Sequence, residues 1–152
     1  GISCGIPDSP CAGWNRWTDT YVLDFVELAL HETGASRWYA YGFSDGANAA
    51  IRLMQYVDHQ PAGLVYHSGS GRGRVADALN NYASGGGRVV LVCTDHDPTP
   101  TEKRVRKLAK YVPAATIVEM PRMETWWMNH YWRSETNQIV WDSLTEGSRN
   151  DD

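Results

Sequence analysis

Residues 37–50 read Arg-Trp-Tyr-Ala-Tyr-Gly-Phe-Ser-Asp-Gly-Ala-Asn-Ala-Ala, and two kinds of local order meet inside them. Arg37 to Phe43 (RWYAYGF) is rich in aromatic side chains that suit a pleated surface, which predicts a short strand. From about Ser44 to about Val57 the chain reads as a helix. Where the two join, Gly42-Phe43-Ser44-Asp45-Gly46 fits G-x-S-x-G, the pattern of a serine lifted above a sheet on a tight strand-to-helix turn. Backbone approaches backbone closely in such a turn, so glycine is needed on either side of the serine. A bare G-x-S-x-G arises readily by chance; its place between a strand and a helix gives it meaning.

Upstream, Val22, Phe25, Val26 and Ala29 fall at helical spacing, with Thr18 or Asp19 able to cap the start and Gly34 to end it. Residues 1–18, rich in Gly, Pro, Ser and Asp, read as irregular loop. Downstream, Ala62 to His67, Val89 to Cys93 and Thr116 to Met120 read as strands. A helix is expected over Val75 to Tyr82. The next has the clearest local signature: Thr99-Pro100-Thr101-Glu102 reads as a capping box with proline at the first helical position. Val105, Leu108, Ala109 and Val112 then line one apolar face, and Ser134 opens a last helix containing Ile139, Val140 and Leu144.

Most of these strands are apolar runs without alternation, as expected when helices cover both faces of a parallel sheet. The fold class is therefore α/β: a small, open, mainly parallel sheet with helices on both faces. With no internal repeat or linker, residues 1–152 read as one domain, an irregular stretch over 1–18 and a core over 19–147.

The composition narrows the function. Of 152 residues, 42% are hydrophobic and 21% charged, which is globular rather than disordered. No apolar run approaches the ~18 residues of a membrane helix, and no basic start with an apolar stretch reads as a signal peptide; the compartment stays open. A net charge of -4 argues against nucleic acid as partner. The basic run Lys103, Arg104, Arg106, Lys107 and Lys110 reads as the solvated face of its helix. His and Cys show none of the close-paired spacings of a zinc site, so neither metal nor cofactor is expected. Cys93 reads as a buried thiol, while Cys4 and Cys11 flank a short loop and can form a disulfide.

A serine hydroxyl is a poor nucleophile without a base, so a histidine and an orienting acid must follow. In hydrolases that carry the serine on this turn, the chain order is Ser, Asp or Glu, then His. Asp97 lies four residues past the strand Val89–Cys93, and His130 follows the strand Thr116–Met120, so both sit beyond C-terminal strand ends, where sites in open α/β sheets form. Asp95 is the rival acid and Asp97 is preferred. His96 is a weaker base candidate because it adjoins Asp97. His67 either lines the site or is a hydrogen-bonded structural residue, while His31 and His59 read as surface positions. The amide of Asp45, at the helix N-terminus, is the candidate oxyanion donor. Trp126, Trp127 and Trp132 surround His130 in sequence and are candidates for an aromatic wall that binds substrate, or for packing beneath the His130 loop.

These residues resemble the polyhydroxybutyrate-depolymerase and feruloyl-esterase branch of the α/β-hydrolases. The likeness starts around Asp24-Phe25-Val26, passes through Gly42-Phe43-Ser44-Asp45-Gly46-Ala47 and continues at Asp97-Pro98, where that branch places its acid before a proline. It ends with His130-Tyr131-Trp132, similar to a His-x-Trp, and a closing helix with Ile139-Val140-Trp141-Asp142. It covers roughly residues 20–145. The resemblance implies a reduced α/β-hydrolase fold, a Ser44–Asp97–His130 triad and hydrolysis of a carboxylic ester on a small molecule or polymer. A non-catalytic binding module on the same scaffold is the alternative. Members of that branch usually carry several strands and an oxyanion loop before the serine, which here has 43 residues ahead of it. The loop Cys4–Asn15 can stand in that loop's place. The strand Arg37–Phe43 is thus expected at an open edge with little protection against pairing: the Cys4–Trp17 segment covers it, a second copy pairs with it or a separate upstream chain completes the sheet, and a homodimer or larger complex is the expectation.

Overall fold

The computed structural model describes residues 16–71 and 74–145, apart from the side chains of residues 16–19 and of Trp127. In chain order the elements are α1 (Arg16–Thr33), β1 (Tyr39–Phe43), α2 (Asp45–Leu53), β2 (Gly63–His67), α3 (Val75–Ser84) and β3 (Arg88–Thr94). Then come α4 (Thr101–Tyr111), β4 (Thr116–Met120), a 3₁₀ turn (Trp126–His130) and α5 (Glu135–Thr145). The four strands form one parallel sheet in the order β1-β2-β3-β4. This is the α/β architecture read from the sequence.

Strand alternation divides the core into two layers. Leu64, Tyr66, Val89, Leu91 and Cys93 point to one face, where they pack with Ala47, Ile51 and Met54 of the α2 region, Val75 and Leu79 of α3, and Val105 and Leu108 of α4. Val65, Val90, Val92, Val118 and Met120 point the other way, toward Val140 and Leu144 of α5. Helices cover both faces, so β2 and β3 are buried on both sides and read as continuous apolar runs. The outermost strand β4 behaves differently: Val118 and Met120 are buried, while Thr116, Ile117 and Glu119 are exposed. Strand β1 is the other edge, paired only to β2 among the described residues.

The sequence reading needs correction at several boundaries. α1 starts at Arg16, so Thr18 and Asp19 lie inside the helix rather than capping it. Of the four apolar residues at helical spacing in α1, Val22, Val26 and Ala29 are half-buried, whereas Phe25 is 69% exposed. α2 stops at Leu53 rather than Val57: the following amides of Gln55 and Tyr56 bond three residues back, and the Gln60 side chain donates to the carbonyls of Met54 and Val57. Gly34, with φ +62, ends α1 as expected. Cys4, Cys11 and the loop to Asn15 lie outside the described residues.

Gly42 is where the sheet and α2 come closest. A Cβ there would stand 2.5 Å from the Ala47 Cα and 2.5 Å from the Gly46 carbonyl oxygen, both backbone atoms that cannot rotate away. Gly34 differs, since its positive φ is costly for other residues but nothing lies within 4 Å of an added Cβ. Gly42→Ala is therefore expected to cost more than about 2 kcal/mol and Gly34→Ala about 1 kcal/mol. Denaturant unfolding of the two variants checks this, and equal losses would contradict the close approach.

Candidate active site

Strand β1 ends at Phe43, and Ser44 then takes φ 54 and ψ −121, a left-handed φ that few non-glycine residues adopt. Its amide donates to the His67 carbonyl at 2.9 Å, tying the turn to the end of β2. Serine at the residue before a helix usually caps it through its side chain, but Ser44 makes no such bond to α2. The strained turn points the hydroxyl elsewhere: its Oγ lies 3.1 Å from Nε2 of His130. Asp45 is the first residue of α2, so its amide is among those that lack a partner within the helix.

His130 closes the 3₁₀ turn after β4. Its Nδ1 lies 2.8 Å from Oδ2 and 3.1 Å from Oδ1 of Asp97. An ionised carboxylate only accepts, so Nδ1 carries the proton and Nε2 presents its lone pair to the Ser44 hydroxyl. The ring of His130 also packs on Phe43, with centroids 5.4 Å apart. The structure thus joins Ser44, His130 and Asp97 through one continuous chain of hydrogen bonds.

The Asp97 side chain is fully buried. Burial pushes its carboxyl up, but hydrogen bonds from His130, Thr101 and Thr99 outweigh that and hold it at about 2. The Thr99 amide donates to Oδ1 at 2.8 Å, the Thr99 hydroxyl to Oδ1 at 2.7 Å and the Thr101 hydroxyl to Oδ2 at 2.6 Å. The expected capping box does not form. The threonine hydroxyls turn to Asp97, Glu102 accepts from the His96 amide instead, and Pro100 occupies the cap position without a side-chain bond. The stronger acceptor, a buried charge, takes the donors.

The neighbouring candidates separate cleanly. Asp95 has a half-exposed side chain 3.8 Å from His96, whose own side chain is 64% exposed, and neither has a hydrogen bond to Ser44 or His130. His31 is exposed. His67 is fully buried, its Nδ1 2.5 Å from the Tyr41 hydroxyl and its Nε2 without a partner among the described residues, and its ring packs edge-on against Phe43. Trp126 is 64% and Trp132 49% exposed, and the Trp132 side chain hydrogen-bonds Tyr41. The Trp127 side chain lies outside the described residues.

Sequence reasoning missed Asn129. It is fully buried, its side-chain carbonyl accepts from the Met123 amide at 2.7 Å and its amide nitrogen donates to the His96 carbonyl at 3.3 Å. The loops that carry His130 and Asp97 are stitched together by this one side chain. An asparagine inside a polar loop carries no signal of burial, so nothing in the sequence marked it.

Solved hydrolases share this fold. A protein described as a predicted CIB-like hydrolase from Thermoplasma acidophilum matches with a TM-score of 0.63 at 16% identity, over 91% of this chain and 65% of its own. An esterase from Pyrococcus furiosus matches at 0.62 and 13%, over 87% and 62%. A carboxylesterase from Bacillus cereus matches at 0.54 and 15%, over 86% and 60%. The chain spans less than two thirds of the length of each. No known family profile and no curated protein sequence matches it.

Two buried groups tie stability to acid. Burial, with His130 and Arg133 nearby, pushes the His67 imidazole down to about 4, whereas an unfolded histidine titrates near 6.5. Between those values the unfolded chain binds the extra proton, so stability is expected to fall as pH drops from about 6.5 to 4, by on the order of 3 kcal/mol. The lowered carboxyl of Asp97 adds a second loss, of about 2 kcal/mol, as pH falls from about 4 toward 2. Denaturant unfolding against pH should show both windows, with His67→Gln abolishing the upper and Asp97→Asn the lower. A flat profile from pH 6.5 to 4 would contradict the buried neutral His67.

Proposed function

We propose that this protein is a serine hydrolase that cleaves a carboxylic ester through an acyl-enzyme intermediate. The observation that carries the reading is the hydrogen-bond chain from Ser44 Oγ through His130 to Asp97, set on a strained strand-to-helix turn. His130 Nε2 takes the Ser44 proton as Oγ attacks the ester carbonyl. The negative charge that develops on the carbonyl oxygen is met by the Asp45 amide at the N-terminus of α2. Collapse of the tetrahedral intermediate breaks the bond to the leaving oxygen, which receives the proton from His130. Water, deprotonated by the same imidazole, then attacks the acyl group and returns Ser44 to its free form. Asp97 keeps Nδ1 protonated and balances the imidazolium charge without taking up the proton.

The shared fold of solved esterases and hydrolases supports the reaction class. The exposed rings of Trp126 and Trp132, which precede and follow His130 in the sequence, offer an apolar surface for the acyl or alcohol part of the ester, and Trp127 belongs to the same stretch. That setting, with Asp97-Pro98 and His130-Tyr131-Trp132, supports the narrower likeness to esterases of polymeric or aromatic acids. Neither a metal nor a cofactor is needed for this chemistry.

Turnover of a p-nitrophenyl ester tests the assignment. Ser44→Ala and His130→Gln should each lower kcat on the order of 10⁴-fold. Asp97→Asn should lower it by roughly 10³ to 10⁴ through loss of the orienting carboxylate, whereas Asp95→Asn and His96→Gln should stay within about tenfold of wild type. Activity of Ser44→Ala within tenfold of wild type would move the nucleophile elsewhere, and a reversed ranking of the two aspartates would move the acid.

A further inference from the structure

A carboxylate offers about four lone-pair positions in its plane. At Asp97 one side of Oδ2 meets Nδ1 of His130 at 2.8 Å, and the Thr101 hydroxyl at 2.6 Å meets the other. Oδ1 receives the Thr99 amide at 2.8 Å and the Thr99 hydroxyl at 2.7 Å. The two hydroxyls are also 2.8 Å from each other, and Thr99 Oγ1 is 3.2 Å from His130 Nδ1. Every threonine contact thus falls within one closed cluster around the carboxylate.

We propose that Thr99 and Thr101 are positioning residues for the reaction: their hydroxyls fix the Asp97 carboxylate in the orientation that presents Oδ2 to His130 and spread its charge away from the imidazole. The inference rests on reading Ser44, His130 and Asp97 as a working triad. A carboxylate on a short side chain has two torsions, and a single bond to His130 would leave the plane of its oxygens free to rock about that contact. Donors on both oxygens, arriving from the chain two and four residues on, fix the plane. The bare alternative is that the threonines serve helix α4, but Pro100 is the cap residue and no side-chain bond to the helix end is made there.

Spreading the charge has a direction. A hydroxyl that donates to Oδ1 or Oδ2 draws negative charge toward itself, so the oxygen facing His130 stabilises the imidazolium less than a bare carboxylate would. Removing the hydroxyls should therefore make His130 easier to protonate and move the acidic limb of kcat/KM to higher pH. The other titratable groups around the pair leave that limb readable. His67 of β2 is neutral with its imidazole pushed down to about 4, the buried Cys93 thiol of β3 is pushed up to about 11, and Arg133 after the 3₁₀ turn carries a fixed charge.

The test compares Thr99→Val/Thr101→Val, which keeps shape and loses both hydroxyls, with Thr99→Ser/Thr101→Ser, which keeps the hydroxyls and loses the methyls. With a p-nitrophenyl ester, the valine pair should lose tenfold or more in kcat with KM changed by less than about twofold. Its acidic limb should move to higher pH. The serine pair should return both quantities to near wild type. Valine variants within about twofold of wild-type kcat with an unmoved limb would overturn the proposal, as would serine variants impaired as badly as valine ones. If the double valine variant does not fold, Thr101→Val alone carries the same two readouts. Ser44→Ala separates the layers: if it stays active, the triad reading itself fails; if it is inactive while the valine pair matches wild type, only the role of the threonines fails.

Discussion

All four strands run in the same direction, so all of them end at the same edge of the sheet, and whatever leaves those ends must meet there. The register makes this concrete: Phe43 stands beside His67, and His67 beside Val92. Ser44, one residue beyond Phe43, donates its amide to the carbonyl of His67, and Ser68 donates its own to Val92. Asp97 leaves the end of β3 and His130 follows β4, so residues 44, 97 and 130 become neighbours through strand direction alone. The apolar layers of Leu64, Tyr66 and Leu91 on one face, and Val65, Val90 and Val92 on the other, hold that direction. Burying such side chains contributes about 1.5 to 3 kcal/mol each.

The sheet edge brings the residues together, but the loops decide their orientation. Here the dominant force is the cost of a buried charge. Isolated, the Asp97 carboxylate would be expelled or neutralised; four hydrogen bonds keep it ionised within the fold. The same demand explains why a sequence that reads as a helix cap is not used as one. Asn129 plays the corresponding part for the backbone, pairing the Met123 amide of one loop and the His96 carbonyl of the other. His67 Nε2, Ser68 Oγ and Thr136 Oγ1 are the exceptions to this economy, each buried without a hydrogen-bond partner among the described residues.

Much of this was legible in the residues themselves. β3 and its neighbours declared themselves because strands covered on both faces read as unbroken apolar runs. The turn at Ser44 was legible because glycine at 42 answers a close approach that no other residue permits. What failed did so for two physical reasons. The helix end at Leu53 depended on contacts with another part of the chain, the Gln60 side chain bonding the carbonyls of Met54 and Val57. Thr99 and Thr101 were misread because a hydroxyl serves a helix end and a carboxylate equally well, and only the fold shows which acceptor is in reach. The burial of Phe25 was misjudged because helical spacing identifies an apolar face without showing what covers it.

The central claim is that Ser44 is a nucleophile activated by His130, and reaction with a fluorophosphonate tests it most directly. Such a reagent forms a covalent bond with an activated serine and spares an ordinary one. Intact-mass analysis of the wild-type protein should show a single phosphonyl adduct, peptide mapping should locate it on Ser44, and both Ser44→Ala and His130→Gln should fail to label. A wild-type protein that remains unmodified after prolonged exposure, or an adduct that persists in Ser44→Ala, would contradict the account.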